Sequence, residues 1–321
     1  MFVRMLRYRV AIMIWMFFLL ALAHVGGLAS FHWSIVWSLV ALGASYVAAT
    51  SVNDVADRDI DAVNHPQDRG RPLVIGEASE HDLRRLHVAS AGMALTAAAL
   101  IGWRALALIA VSVAIGRAYS LPPIRLSYRT CLAPIALGVA YVLVPYGLGL
   151  ASAGRPAGSN DALFAGALYA LFLARITLKD FRDVVGDARY GRPTFLLQFG
   201  KDLTCLVSLL ALAVGDGLLM ASLHPGLVVA LLMQAFVLAI VIMLRGLWRT
   251  PDARAEQVAI GIGARMGNGL LITSLALLVV RSHGAPAVDQ VVIALALTIV
   301  FVINFAQLAS RPDDVLIGYK G

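Results

Sequence analysis

Ten apolar runs of about twenty residues, near 10–29, 33–52, 86–102, 104–120, 131–151, 161–178, 203–223, 226–245, 266–282 and 286–308, take up more than half of the 321-residue chain. A helix needs roughly 20 apolar residues to cross the hydrocarbon core of a bilayer, where every backbone polar group must be satisfied internally. Composition agrees, with 60% of residues hydrophobic and 14% charged, against about 25% charged in an ordinary soluble domain. The expected fold class is all-α, a multi-pass transmembrane helical bundle of nine to ten spans that forms a single integral membrane domain over residues 1–321. Only Trp103 and Arg104 separate the third and fourth runs, and the ninth is short, which sets that range.

Basic residues fix the expected orientation, because cytoplasmic loops concentrate Lys and Arg. With ten spans and the N-terminus inside, 23 of the 26 basic residues fall on the cytoplasmic face, leaving Arg104, Arg155 and Arg281 outside. Both termini are therefore expected to be cytoplasmic. The net charge of +7 is explained by this topology and calls for no nucleic-acid partner. Cys131 and Cys205 are too few for a disulfide framework or a thiolate metal site and read as packing residues.

Acidic residues are distributed differently. Of the 19, 12 lie in two stretches, 53–82 and 180–202, within the motif loops 53–85 and 179–202 on the same expected face. Asn53, Asp57 and Asp61 recur every four residues, as do Asp183 and Asp187, so on a helix each set projects from one side. Like charges at that spacing repel, and two such faces at the mouth of a bundle require a cation between them. Oxygen donors without nearby Cys or clustered His point to a hard ion such as Mg²⁺, which takes one or two carboxylates and completes its octahedron with water and phosphate oxygens. Arg69, Arg71, Lys179, Arg182, Arg117 and Arg125 accompany the acids, and guanidinium forks suit phosphate. Together these suit a lipid diphosphate at a membrane surface. A calcium loop over Asp57, Asp59 and Asp61 is disfavoured: Ala62 stands where glycine is required, Pro66 interrupts, and Asp68 replaces the bidentate Glu.

These residues resemble a known family. Asn53-Asp54-Val55-Ala56-Asp57-Arg58-Asp59-Ile60-Asp61, followed by Arg71-Pro72-Leu73, is similar to the first aspartate-rich motif of the UbiA superfamily of intramembrane prenyltransferases. Lys179 to Asp187, continuing through Gly191, Thr194 and Phe199-Gly200, resembles the second. Tyr119-Ser120-Leu121-Pro122-Pro123 resembles the Tyr-Ser-x-Pro-Pro segment of its chlorophyll-synthase-like branch. The resemblance implies a bundle around a central cavity open to the cytoplasmic side. It implies Mg²⁺ held by Asn53, Asp57, Asp61, Asp180, Asp183 and Asp187, and substrate diphosphate contacted by Arg71, Lys179 and Arg125. It also implies Tyr119 near the reacting centre, with Asp57, Asp61, Asp183 and Asp187 essential to catalysis.

The implied reaction moves a prenyl group from a polyprenyl diphosphate to a hydrophobic, aromatic or lipid acceptor within the lipid bilayer, through ionisation to an allylic carbocation. The expected location is the bacterial or archaeal cytoplasmic membrane. A membrane terpene cyclase on the same scaffold is the alternative. A cation-coupled transporter is disfavoured because the acids sit at helix ends beside arginines and not near the midplane. Asp216, deep in the seventh run, reads as a packing or hydrated acid, Gln234 and Asn304 as interhelical hydrogen-bonding groups. His65 and His87 read as lacking a clustered partner that would suggest catalysis. Gly261, Gly263, Gly267 and Gly269 read as helix packing or a flexible loop, with no preceding strand to make a phosphate turn.

Overall fold

A computed structural model describes residues 5–319 of the chain. Each of the ten apolar runs coincides with a helix: α1 (Tyr8–His24), α2 (Trp33–Ala56), α4 (Glu80–Ala99), α5 (Trp103–Ser120), α6 (Leu132–Ser152), α7 (Ser159–Ile176), α9 (Phe195–Leu223), α10 (Leu227–Arg249), α11 (Ala253–Ser282) and α12 (Ala287–Ser310). Short helices follow among the described residues: α3 (Arg58–Asn64), α8 (Asp180–Arg189) and α13 (Pro312–Tyr319). No strand occurs among the described residues.

Among the described residues seven helices are, by length and composition, long and apolar enough to cross a membrane: α2, α6, α7 running on through α8, and α9 to α12. Three of the expected spans fall outside that set for visible reasons. α1 is apolar but shorter. α4 starts six residues before its apolar run and spends its first third on Glu80, Asp82, Arg84 and Arg85. α5 has 18 residues, with Arg104 and Arg117 near its ends.

Local chemistry explains the breaks. Ser79 and Asp82 form a reciprocal capping box at the start of α4. Inside α6, Val139–Leu143 widens into a π turn immediately before Val144-Pro145; proline has no N–H to give to the helix ladder, and such a widened turn accommodates the loss. α9 bends at Gly200, whose φ of 77° suits glycine.

The chain divides into two compact units. The first takes the residues up to Val25, Ser30–Ala157 and Asp183–Gln198; the second takes Gly26–Ala29, Gly158–Arg182 and the residues from Phe199 on. Small residues let helices approach within the first unit. A Cβ on Gly149 of α6 would stand 2.6 Å from that of Ala21 on α1, and one on Gly116 of α5 would stand 2.9 Å from that of Ala49 on α2. Beneath the loop after α3, Met5, Val47, Leu73 and Leu83 form a buried cluster. In the second unit Gly215 of α9 lies against Leu171 of α7, and Gly269 of α11 lies against Phe236 and Phe301, whose rings meet edge to face at 5.6 Å. The glycine series of α11 thus sits within a helix, with Gly269 packed as expected.

Candidate functional site

The first motif straddles a helix break. Asp57 (φ −107°, ψ 15°) ends α2 and precedes α3, yet the hydrogen-bond ladder runs through it. The Asp57 N–H donates to the Asn53 carbonyl at 2.8 Å, that of Asp61 to Asp57 at 2.8 Å, and that of His65 to Asp61 at 2.7 Å. The every-four series therefore keeps one face across the break, and His65 is its fourth member.

These side chains are withdrawn from solvent: Asp54 is 1% exposed, Asp57 3%, Asp61 6%, Asp187 2%, Arg71 8% and Tyr119 8%. Buried charge is costly unless paired, and here it is paired across long sequence distances. Arg7, just before α1, donates through Nη2 to both carboxylate oxygens of Asp54, at 2.6 and 2.7 Å. Arg71 forms an ion pair with Asp61 and lies 3.9 Å from Asp54 and 3.6 Å from Asp68.

Arg192, two residues before the second motif's Thr194, joins the two motifs. Its Nη1 donates to Asp57 Oδ2 at 3.1 Å and lies 3.6 Å from Asp187 Oδ1. Its Nε donates to the Ser127 carbonyl at 3.2 Å, and its Nη2 reaches the Tyr119 hydroxyl at 3.5 Å. Asn53 Nδ2 donates to the same Asp57 oxygen at 2.9 Å.

α3 and α8 are pinned to one another. His65 Nε2 lies 2.9 Å from Asp183 Oδ1, and the Gly186 N–H donates to Asn64 Oδ1 at 2.7 Å. A Cβ on Gly186 would stand 2.6 Å from the Asn64 amide, so any larger residue there must push that amide aside.

Burial works against the charge on Arg192, but Asp57, Tyr119, Asp187 and Asp183 outweigh it and raise its pKa above the ordinary arginine value. Arg7 is raised likewise, burial opposing and Asp54 prevailing. Both guanidiniums stay charged at every accessible pH. Asp54, Asp57, Asp61, Asp183 and Asp187 are thus gathered with the guanidiniums of Arg7, Arg71 and Arg192 and the imidazole of His65.

Among the described residues no three His, Cys, Asp or Glu side chains converge as a ready-made metal cage. The donor set nevertheless fits a hard divalent cation. It consists of carboxylate and amide oxygens, and the buried Asp57 Oδ1 accepts no hydrogen bond, leaving a lone pair that a cation would satisfy. Mg²⁺ requires only one or two protein carboxylates.

The remaining expected residues are placed as follows. Asp183 and Asp187 lie four apart on α8. Lys179 closes a single 3₁₀ turn and Asp180 opens α8; both belong to the second unit. Arg125 adopts a left-handed conformation (φ 39°) and stacks over Tyr128, 3.9 Å from the ring centroid. Asp216 and Gln234 pair within the second unit, the amide donating to both carboxylate oxygens at 3.0 Å, which gives that acid a packing role. Neither histidine is isolated: His65 meets Asp183, while His87 Nδ1 reaches the Ala48 carbonyl at 2.9 Å, with Arg117 3.5 Å from its Nε2.

Sequence reasoning overlooked Arg7, Asn64, His65 and Arg192 as members of the cluster. Only His65 carried a local signal, as the next residue in the series 53, 57, 61.

A sequence profile of the UbiA prenyltransferase family matches residues 11–269. The chain belongs to the UbiA prenyltransferase family. Among its relatives is the digeranylgeranylglyceryl phosphate synthase of Natronomonas pharaonis, 29% identical over 181 residues, which are 55% of this chain. The match spans 60% of that relative's length. A UbiA homologue from Archaeoglobus fulgidus, solved with GPP and Mg²⁺, superposes with a TM-score of 0.65 at 20% identity, over 87% of this chain and 99% of that one. A digeranylgeranylglyceryl phosphate synthase structure gives 0.66 at 13% identity, over 87% and 97%. At these identities the structures establish the UbiA fold, and with the apolar helices they make the chain an integral membrane protein.

Proposed function

We propose that this chain catalyses Mg²⁺-dependent transfer of a prenyl group from a polyprenyl diphosphate to an acceptor held in the membrane. We further assign it to a bacterial or archaeal cytoplasmic membrane, with both termini and both motif loops on the cytoplasmic side. The observation that carries the activity is the meeting of the two aspartate motifs with Tyr119 around Arg192. The solved Archaeoglobus homologue with GPP and Mg²⁺ supports the choice of donor and ion.

In this reading Asn53, Asp57, Asp61, Asp180, Asp183 and Asp187 hold the divalent ions. When bound, Mg²⁺ neutralises charge developing on the departing diphosphate. Arg71, Lys179 and Arg125 donate to diphosphate oxygens and orient the allylic C–O bond. Tyr119 is buried, and its ring offers a π face to positive charge at the allylic carbon. Exclusion of water from so buried a site delays quenching of that carbon until the acceptor attacks. The prenyl tail lies among the apolar helices, which is why such chemistry is carried out inside a membrane.

The relatives named as digeranylgeranylglyceryl phosphate synthases favour an alcohol on a glyceryl phosphate lipid as acceptor over an aromatic carbon. The test uses purified protein, Mg²⁺ and a labelled prenyl diphosphate, offered glyceryl phosphate lipids and hydroxylated aromatics in parallel. Diphosphate release is expected with the former. Asp57→Ala and Asp183→Ala are each expected to reduce release by roughly a hundredfold or more. Unchanged release in both variants would remove the metal assignment, and hydrocarbon formed from the donor alone would move the reading to a cyclase.

A further inference from the structure

One nitrogen of Arg192 lies within hydrogen-bonding or ion-pair distance of a carboxylate from each motif, 3.1 Å from Asp57 and 3.6 Å from Asp187. Two buried carboxylates brought to one point repel unless a cation stands between them, and here a side chain supplies it. The rest of the fork is also engaged, Nε by the neutral Ser127 carbonyl and Nη2 by the Tyr119 hydroxyl. The stem is thus anchored on the segment that carries Tyr119, while the charge serves both motifs.

We propose that Arg192 is a positioning residue that clasps the two aspartate motifs to Tyr119 in the metal-free enzyme and competes with the divalent cation for Asp57 and Asp187. The role rests on the metal reading above and deepens it. A cation entering alone must displace or tolerate a positive charge already paired with its ligands, so it binds weakly. A cation arriving with a diphosphate brings acceptor oxygens to which the released Nη groups donate in turn. Arg192 therefore couples the two ligands, each strengthening the other by the same factor, and prevents the carboxylates from being saturated by metal before the donor arrives.

The test is a titration of the full-length detergent-solubilised protein with Mn²⁺ alone, followed by the electron paramagnetic resonance signal of the free ion. Donor KM and kcat at saturating Mn²⁺ are measured alongside. Arg192→Gln is expected to bind Mn²⁺ roughly tenfold more tightly than the parent protein, while its donor KM rises. A residue that merely supports the fold would weaken both, and that result overturns the proposal, as does an unchanged Mn²⁺ affinity. Absence of saturable Mn²⁺ binding to the parent protein overturns the metal reading itself, and with it this role. Arg192→Met, which keeps the apolar stem, replaces the glutamine variant should the latter fail to fold, with the same outcomes decisive.

Discussion

Both units bury hydroxyls, but only the first adds buried charge to them. Among the described residues, the charged and imidazole side chains that are fully buried (Asp54, Asp57, Asp61, Arg71, His87 and Asp187) all belong to the first. The second buries hydroxyls: Thr177, Thr204, Ser208, Ser222, Thr273, Ser274 and Thr298. Several of those are satisfied at no distance, Ser274 by the carbonyl of Leu270 at 2.8 Å, Thr298 by Ala294 at 2.8 Å and Thr204 by Gly200 at 2.7 Å, all within their own helices. A hydroxyl that bonds its own helix costs little to bury. A carboxylate demands a partner from another element, several kcal/mol being lost otherwise. The first unit therefore carries an electrostatic burden that packing alone does not explain, whereas the second, to which Lys179 and Asp180 belong, shows no buried charged side chain among the described residues.

The largest effect expected to sharpen this contrast is that of Arg7→Ala. It leaves Asp54 with Arg71 at 3.9 Å in place of a two-oxygen contact, and should destabilise the protein by about 3 kcal/mol. Thermal unfolding in detergent measures it, and Asp54→Asn added to Arg7→Ala should recover part of the loss. A melt unchanged from the parent would mean that the first unit tolerates unpaired charge. Asp216→Asn probes the other side. It replaces one amide-bonded group by another, so stability should shift by no more than about 0.6 kcal/mol and diphosphate release should be unaltered. Loss of release would break the contrast by giving a chemical role to the helices α9 and α10 that carry the Asp216–Gln234 pair. The smallest effect is at the surface. Hydrogen bonds from the Ser79 hydroxyl and backbone N–H hold the Asp82 carboxyl below its usual range. A depressed carboxylate stabilises above the unfolded value, near pH 4, and loses that contribution as pH falls through its folded value. Ser79→Ala should thus lower the melting temperature slightly at pH 7, with the difference shrinking in acid.

Much of this was legible in the residues. Spans are local, so apolar runs located ten helices, and a spacing of four located one face of each motif. Charges near helix ends were less legible, because Arg84 and Arg85 continue a helix as readily as they end a span. The pairings were least legible. Arg7 and Asp54 are 47 residues apart and Arg192 and Asp57 are 135 apart, and no periodicity relates residues joined only by the fold. Arg192 also follows Gly191, at φ 62°, beyond the end of α8, where helical spacing no longer applies. His65 was within reach of the same four-residue count that found Asp57 and Asp61.

The ion pair at Arg7 also bears on where translation of such a gene is taken to begin. Initiation at Met5 would retain Arg7 and the methionine packed on Val47, Leu73 and Leu83. Initiation at Met13 would yield a polypeptide with both aspartate motifs intact, yet with Asp54 deprived of the two-oxygen contact from Arg7 and left with Arg71 at 3.9 Å. Two open reading frames differing by a handful of codons would then encode one protein that keeps the partner of its buried Asp54 and another that folds only at a penalty.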